Sequence, residues 1–202
     1  MGFDAIAKYY DQLARLVFGK SLIKAQTYFL NSVPPSSKVL VIGGGTGWWL
    51  MKFLQNNPAC KIIYIEESNE MLKMARAATN GDCRICFMLG TENSIPYEEK
   101  FDVVITFCFL DLFSEDQLSE VIAKILTSLK PNALWLVTDF VNTNRIHSIL
   151  LFVMYRFFKL TTEMNNQILP DWEKLLLNNA VIKIEQKSYF RSFIMSCLYR
   201  VN

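Results

Sequence analysis

The chain has 202 residues, of which 51% are hydrophobic, and its formal net charge is +2. This length and composition suit one domain with a sizeable core and exclude a disordered chain, while so small a net charge gives no indication of nucleic acid or an anionic membrane as a partner. Five scattered cysteines favour a reducing cytosol over a disulfide framework, and no apolar run reaches the roughly 18 residues of a membrane span. We therefore expect a cytoplasmic protein.

Two helices are predicted ahead of the first strand. Apolar residues recur at spacings of three and four over residues 3–16, as on one face of an amphipathic helix. A second helix is predicted over residues 20–31 and ends before Pro34 and Pro35, because the residue before a proline is disfavoured in a helix.

A glycine-rich turn follows the first predicted strand, Lys38–Ile42, and leads into a helix predicted over residues 46–56. Glycine has no Cβ, so the backbone here can turn sharply and let a ligand approach closely, as in nucleotide sites at the ends of parallel strands. The third glycine of the dinucleotide fingerprint would fall on Trp48, and no lysine follows Gly47 as the Walker pattern requires. NAD, FAD and nucleoside triphosphates are therefore disfavoured.

This turn resembles the G-x-G-x-G loop of the class I S-adenosylmethionine (SAM) methyltransferases. The glycines that the resemblance makes candidate cofactor ligands are Gly43, Gly44, Gly45 and Gly47. An ordinary glycine-rich turn between a strand and a helix is the alternative. Residues 3–11 are similar to the F-D-x-I-A-x-x-Y-D segment of many small-molecule members, which caps bound SAM, and this similarity implies that Tyr10 lies beside the cofactor. Without the family match, Tyr10 is equally well a core residue of an amphipathic helix.

Two glutamates end the second predicted strand, residues 61–65. An acidic side chain at this tip can accept hydrogen bonds from both ribose hydroxyls. Residues 66–72 resemble the family's D-x-S-x-x-M-L, which implies that Glu66 binds the ribose, with Glu67 and Met71 beside it, and that Ser68 is the N-cap of the next helix. A solvated acid near a helix N-terminus is the alternative for Glu66.

The third and fourth strands are predicted over residues 84–89 and 101–107. The loop after the third strand resembles the family's G-D-A-x-x-L-P-F, which implies that Thr91 and Glu92 bind the adenine, although Thr91 replaces an acid and accepts more weakly. An exposed polar loop is the alternative. Phe107, at the end of the fourth strand, completes the candidate cofactor residues.

The remaining elements complete an α/β fold. They are a helix over 114–129, a turn at 130–132, a strand over 133–139, helices over 144–160 and 170–178, and strands over 181–189 and 192–200. The last two strands are joined too closely for a parallel crossover, so they should be antiparallel. We predict one methyltransferase domain over 1–202: a three-layer Rossmann-like sandwich around a seven-stranded, mostly parallel sheet with an antiparallel last strand. Residues 1–35 would be capping helices, and 143–180 a helical insertion.

Methyl transfer from a sulfonium needs chiefly alignment and exclusion of water. A lone histidine and one C-x-x-C give no basis for a metal site. His147, Asp111 and Asp139 are candidates for a general base, but each is more often structural, so no catalytic residue is assigned. The family usually has an acid at the position of Val41, where it helps to hold the methionine end of SAM.

The helix over 144–160 is apolar on nearly every side, which is more than one packing face needs. It is therefore predicted to form an apolar wall over the substrate pocket. A core helix or a homodimer contact fits the same pattern equally well. Docking of the helix on a membrane surface, with Arg156 and Lys159 as interfacial charges, is a further alternative. The predicted function is SAM-dependent methyl transfer to a small apolar or aromatic molecule. The alternatives are a non-catalytic binding or interaction module with the methyltransferase fold, and a relative acting on protein, nucleic acid or polyamine.

Overall fold

The computed structural model describes residues 3–162, 168–179 and 181–202. A seven-stranded sheet lies at the centre, in the order β3-β2-β1-β4-β5-β7-β6. Its strands are β1 (Lys38–Ile42), β2 (Lys61–Glu66), β3 (Ile85–Leu89), β4 (Phe101–Phe107), β5 (Leu129–Phe140), β6 (Val181–Tyr189) and β7 (Ile194–Val201). The helices are α1 (Ala7–Phe18), α2 (Ser21–Thr27), α3 (Leu50–Asn56), α4 (Asn69–Ala78), α5 (Glu115–Thr127), α6 (Arg145–Thr161) and α7 (Trp172–Leu177).

The predicted fold class is confirmed. Strands β1 to β5 pair in parallel, and β7 is antiparallel to both β5 and β6. Six strands therefore point one way and the last strand of the chain runs against them. The tight link before β7 contains Phe190, Arg191 and Ser192, all with positive φ, which closes the hairpin too sharply for any crossover.

Alternating residues of the central strands bury opposite faces of the sheet, as the two-residue period of a strand requires. Leu40 and Ile42 of β1 belong to a core completed by apolar residues of α5 and α7. Val39 and Val41 point to the other core, which α3 and α4 cover. Helices therefore cover both faces, and this gives the three layers.

Several predicted boundaries were wrong. The first helix was predicted from residue 3, but α1 begins at Ala7, and the second was predicted to residue 31, but α2 ends at Thr27. Helix α3 begins at Leu50, four residues later than predicted, because Gly47 has a φ of +67°, which an α-helix does not accommodate. The turn predicted at 130–132 lies inside β5, where the register against β4 shifts and Asn132 has a φ of +63°. The residues that predicted a turn, 130–132, form a bulge within a longer strand.

A third apolar cluster joins the amino-terminal helices to α6. It contains Phe18 and Leu22, which pack with Leu151 and Tyr155 of α6 and with Phe193. Residues 1 and 2 of the predicted capping segment, and residues 163–167 and 180 of the predicted insertion, lie outside the described residues.

Candidate cofactor-binding site

The glycine turn after β1 needs glycine for two separate reasons. Gly43, Gly45 and Gly47 all have positive φ, a region that residues with a Cβ rarely adopt. In addition, a Cβ on Gly44 would lie 2.2 Å from Cζ of Tyr64, and one on Gly43 would lie 2.5 Å from Cδ2 of Phe109. Gly45 differs, because a Cβ there would meet nothing within 4 Å, so this part of the turn faces open space.

Glu66, at the end of β2, holds the glycine turn in place through hydrogen bonds. Its Oε2 accepts a hydrogen bond from the N–H of Gly45 at 2.9 Å, and its Oε1 accepts one from the N–H of Ser68 at 2.8 Å. The carboxylate is 6% exposed, and burial raises its pKa, while the two N–H groups act in the opposite direction. Tyr64 also supports the turn, since its hydroxyl donates to the carbonyl of Gly45 at 2.9 Å.

The amino-terminal segment lies against the turn and the start of α4. Asp11 accepts a hydrogen bond from the Thr46 hydroxyl at 2.8 Å. Asp4 accepts one from the hydroxyl of Ser68 at 2.5 Å and one from the N–H of Glu70 at 3.1 Å. Ser68 in turn accepts from the N–H of Met71, which confirms its prediction as N-cap. Two carboxylates therefore attach this segment to the two loops that it covers.

A cavity of about 710 Å³ lies at the carboxyl ends of β1 to β4, beneath this segment. It falls within the range of about 300–1,000 Å³ that is typical of ligand sites. The predicted site residues that line it are Tyr10, Gly43, Gly44, Gly45, Glu66, Glu67, Met71, Thr91, Glu92 and Phe107. Gly47 does not line it, because its Cα faces Ala75 of α4, to which a Cβ would approach within 2.7 Å.

The cavity is acidic. Its lining includes five acidic residues, Asp4, Asp11, Glu66, Glu67 and Glu92. Over the described ranges 3–162, 168–179 and 181–202, no lysine, arginine or histidine lines it. Burial raises the pKa of Asp11, and its hydrogen bond from Thr46 opposes this. The site can therefore accept a ligand that carries positive charge and is poorly suited to a pyrophosphate.

The inner wall of the cavity is aromatic, but α6 does not form it. Phe107, Phe109 and Phe113 line this side, together with Trp48 and Trp49. From α6 and the residue after it, only Thr162 reaches the cavity among the residues that the structure describes. The prediction that α6 forms the apolar wall was wrong, because α6 packs into the third apolar cluster through Leu151 and Tyr155.

The three candidate general bases lie outside the lining of the cavity. His147 is buried at the start of α6, where Nδ1 accepts from the N–H of Thr143 and Nε2 lies 3.1 Å from the carbonyl of Arg191. Asp139 accepts hydrogen bonds from the N–H groups of Leu110 and Phe140, at 2.9 and 2.8 Å. These contacts give His147 and Asp139 structural roles.

Asp111 and Asp139 form a buried pair joined by a side-chain hydrogen bond, so one of the two carboxyls must carry a proton. Burial and the neighbouring carboxyl raise the pKa of Asp111 well above its usual range. Burial raises the pKa of Asp139 to about 6. The folded chain thus keeps a proton that the unfolded chain releases near pH 4.

The free energy of unfolding should therefore fall as the pH rises from about 5 to 8, because the folded state binds the extra proton. Asp111→Asn keeps a neutral hydrogen-bond donor to Asp139 and should remove on the order of 1–3 kcal/mol of this pH dependence. Urea unfolding at several pH values measures the change, with the exposed Asp116→Asn as the control. Equal slopes in the wild type and in Asp111→Asn would contradict the assignment.

Sequence reasoning missed several residues around the cavity. Asp4 and Asp11 stand in the segment compared with F-D-x-I-A-x-x-Y-D, so the same resemblance that singled out Tyr10 could have indicated them. Gln26 also lines the cavity, and no pattern in the sequence pointed to it, whereas the position of Cys108 and Phe109 at the end of the fourth predicted strand does place them beside a substrate. In the described part of the chain, no helix is long and apolar enough to cross a bilayer, and no cluster of three or more potential metal ligands occurs.

Comparison with known proteins agrees with this geometry. Residues 39–132 match a protein family described as a methyltransferase domain. A segment of 106 residues, 50% of this chain, is 27% identical to the malonyl-[acyl-carrier protein] O-methyltransferase of Halalkalibacterium halodurans. The match spans only 38% of the length of that relative.

Solved structures match over most of the chain at low sequence identity. The complex between the Haloferax volcanii Trm112 methyltransferase activator and a methyltransferase matches with a TM-score of 0.76 and 15% identity, over 98% of this chain and 97% of that chain. The N-methyltransferase NodS of Bradyrhizobium japonicum, solved with S-adenosylhomocysteine (SAH), matches with a TM-score of 0.64 and 15% identity, over 89% of this chain and 83% of that one.

The seven-stranded sheet with its reversed last strand is the fold of the class I SAM-dependent methyltransferases. Residues 39–132, the part of the chain that matches the methyltransferase domain family, contain the glycine turn, Glu66 and the loop at Thr91 and Glu92.

Proposed function

We propose that the chain is one methyltransferase domain that binds SAM in the acidic cavity and transfers a methyl group to a small apolar or aromatic molecule. The observation that carries the proposal is the charge of the cavity: five acidic residues line it, with no basic residue among the described residues. SAM carries a sulfonium and an ammonium group, which such a cavity favours, whereas dinucleotides carry a pyrophosphate, which it repels. The open face of Gly45 leaves room for a ligand against the backbone.

The residues of this chain have separate roles in the proposal. Glu66 binds the ribose, the loop at Thr91 and Glu92 binds the adenine, and the backbone at Gly43 to Gly45 faces the methionine part. Bound SAM supplies a methyl group that is already activated on sulfur. The protein then has to align the acceptor and exclude water, and the amino-terminal segment, held by Asp4 and Asp11, contributes Phe3 and Tyr10 to the lining of the cavity.

The aromatic wall of the cavity is the reason for proposing an apolar acceptor. Trp48, Phe109 and Phe113 face the part of the cavity next to the turn, and wide aromatic surfaces suit a flat or hydrophobic molecule.

A second candidate function rests on Val41, which stands where the family usually has an acid. In that case the chain is a non-catalytic module that has kept the fold and the cavity.

The test begins with calorimetric titration of the whole chain with SAM, SAH and NAD. SAM and SAH should bind, and NAD should not, because its pyrophosphate enters an acidic cavity. Transfer of a labelled methyl group from SAM is then measured across a panel of aromatic, lipid-like and polar acceptors. Failure to bind SAM and SAH would overturn the proposed methyl transfer and favour the non-catalytic module, and SAM binding with transfer only to polar acceptors would overturn the apolar acceptor.

A further inference from the structure

One face of α6 is apolar, exposed and flanked by cations. Ile146, Ile149, Val153 and Leu160 are 59%, 64%, 60% and 83% exposed. Their spacings of three, four and seven residues place them along one stripe of the helix. Isolated apolar side chains are common on protein surfaces, but a continuous stripe over the length of a helix indicates a surface that meets another apolar phase.

A row of positive charge lies beside this stripe. Arg145, Arg156 and Lys159 are exposed, and their positions on the helix place them on the adjoining strip with the exposed Phe152. The sequence contains no aspartate or glutamate between residues 140 and 162. The net charge of the whole chain, +2, conceals this local cationic strip.

We infer that this face of α6 docks on an anionic lipid surface. The helix would lie in the plane of the interface, with its apolar stripe in the acyl region and its cations at the lipid headgroups. A second copy of the chain is a poorer occupant, because pairing this face with itself would bring the cations of the two copies together without a carboxylate between them. The inference is independent of the proposed methyl transfer, since it depends only on the exposed face.

The carboxyl end of α6 lies beside the cavity, so docking through α6 would fix the position of the cavity relative to the lipid surface. Thr162, directly after the helix, lines the cavity. Phe158 packs edge to face against Phe3, which also lines it, with ring centroids 5.6 Å apart. Phe158 lies on the side of α6 opposite the stripe, so a chain docked through α6 would hold the rim of its cavity about one helix diameter, roughly 10 Å, from the lipid.

The test is co-sedimentation of the full chain with vesicles of phosphatidylglycerol and phosphatidylcholine, and with vesicles of phosphatidylcholine alone. Binding should require phosphatidylglycerol and weaken as salt is raised. The double variant Arg156→Gln/Lys159→Gln should lower partitioning about 25-fold, because each cation contributes roughly fivefold. Ile149→Gln/Val153→Gln should lower it at least about tenfold.

Ile182→Gln/Ile184→Gln is the matched control, because it removes two exposed isoleucines from β6, on another part of the surface. This control should bind vesicles as the wild type does. Binding that ignores lipid charge, or that the α6 variants leave unchanged, would overturn the inference. So would a dimer, detected by light scattering, that Ile149→Gln/Val153→Gln dissociates.

Discussion

Replacement of Glu66 by alanine should weaken SAH binding by about 1–3 kcal/mol, which is a roughly 5- to 150-fold higher Kd. The variant loses the proposed ribose ligand. It also loses the side chain that holds the turn, since the two oxygens of Glu66 accept the N–H groups of Gly45 and Ser68. Calorimetric titration measures the change, and circular dichroism checks that the variant is folded.

Glu67→Ala is the matched control, because Glu67 lines the same cavity but is exposed and directly follows Glu66. It should bind SAH nearly as the wild type does. Glu66→Gln separates charge from shape, since an amide keeps the size but has only one oxygen for the two N–H donors. A folded Glu66→Ala variant with unchanged Kd would refute the role of Glu66, and a larger loss in Glu67→Ala would move the ribose site to that residue.

Replacement of Val41 by aspartate should lower the free energy of unfolding by about 3–5 kcal/mol, with a fall in Tm of roughly 6–20 °C. Val41 is 1% exposed in the central strand β1, in register with Tyr64 of β2 and Ile105 of β4. Its side chain packs into the core under α3 and α4, where a carboxylate would have no water. Thermal unfolding in the presence and absence of SAM measures both stability and binding.

Val41→Asn is the control for this variant, because it introduces a polar group of the same size without a charge. It should lose less stability than Val41→Asp at neutral pH. If Val41→Asp is as stable as the wild type and binds SAM more tightly, then the acid that the family carries here can act in this chain. That outcome would show that the methionine end reaches β1, in conflict with the packing of Val41.

The sheet could be predicted because its strands are buried on both faces. Residues such as Leu40 and Val41 must both be apolar when helices cover each side, so β1, β2 and β4 stand out as continuous hydrophobic runs. Once these strands are recognised, the positions of the glycine turn after β1 and of the acid at the end of β2 can be predicted from where the strands end. These residues were placed at one edge of the sheet from the sequence, and the structure gathers all of them except Gly47 around one cavity.

Contacts between distant segments could not be predicted in this way. The hydrogen bond from Thr46 to Asp11 and the pair formed by Asp111 and Asp139 depend on how loops fold over the sheet, which no local period encodes. The orientation of α6 could not be predicted from the sequence either. A helix that is apolar on nearly every side has no preferred face in its sequence, so only packing against Phe193 and its neighbours decides which side is left in water.

The attachment of the amino-terminal segment bears on the kinetics of turnover. Asp4 and Asp11 fix it to α4 and the glycine turn at the ligand edge of the sheet. Its apolar contacts are small, chiefly the buried Ile6 and Ala7 and the packing of Phe3 on Phe158. Such a cover can detach by local unfolding at a small fraction of the free energy needed to unfold the sheet. Spent cofactor would then leave only when this segment opens, so the lifetime of the closed segment would set an upper limit on how fast the protein cycles.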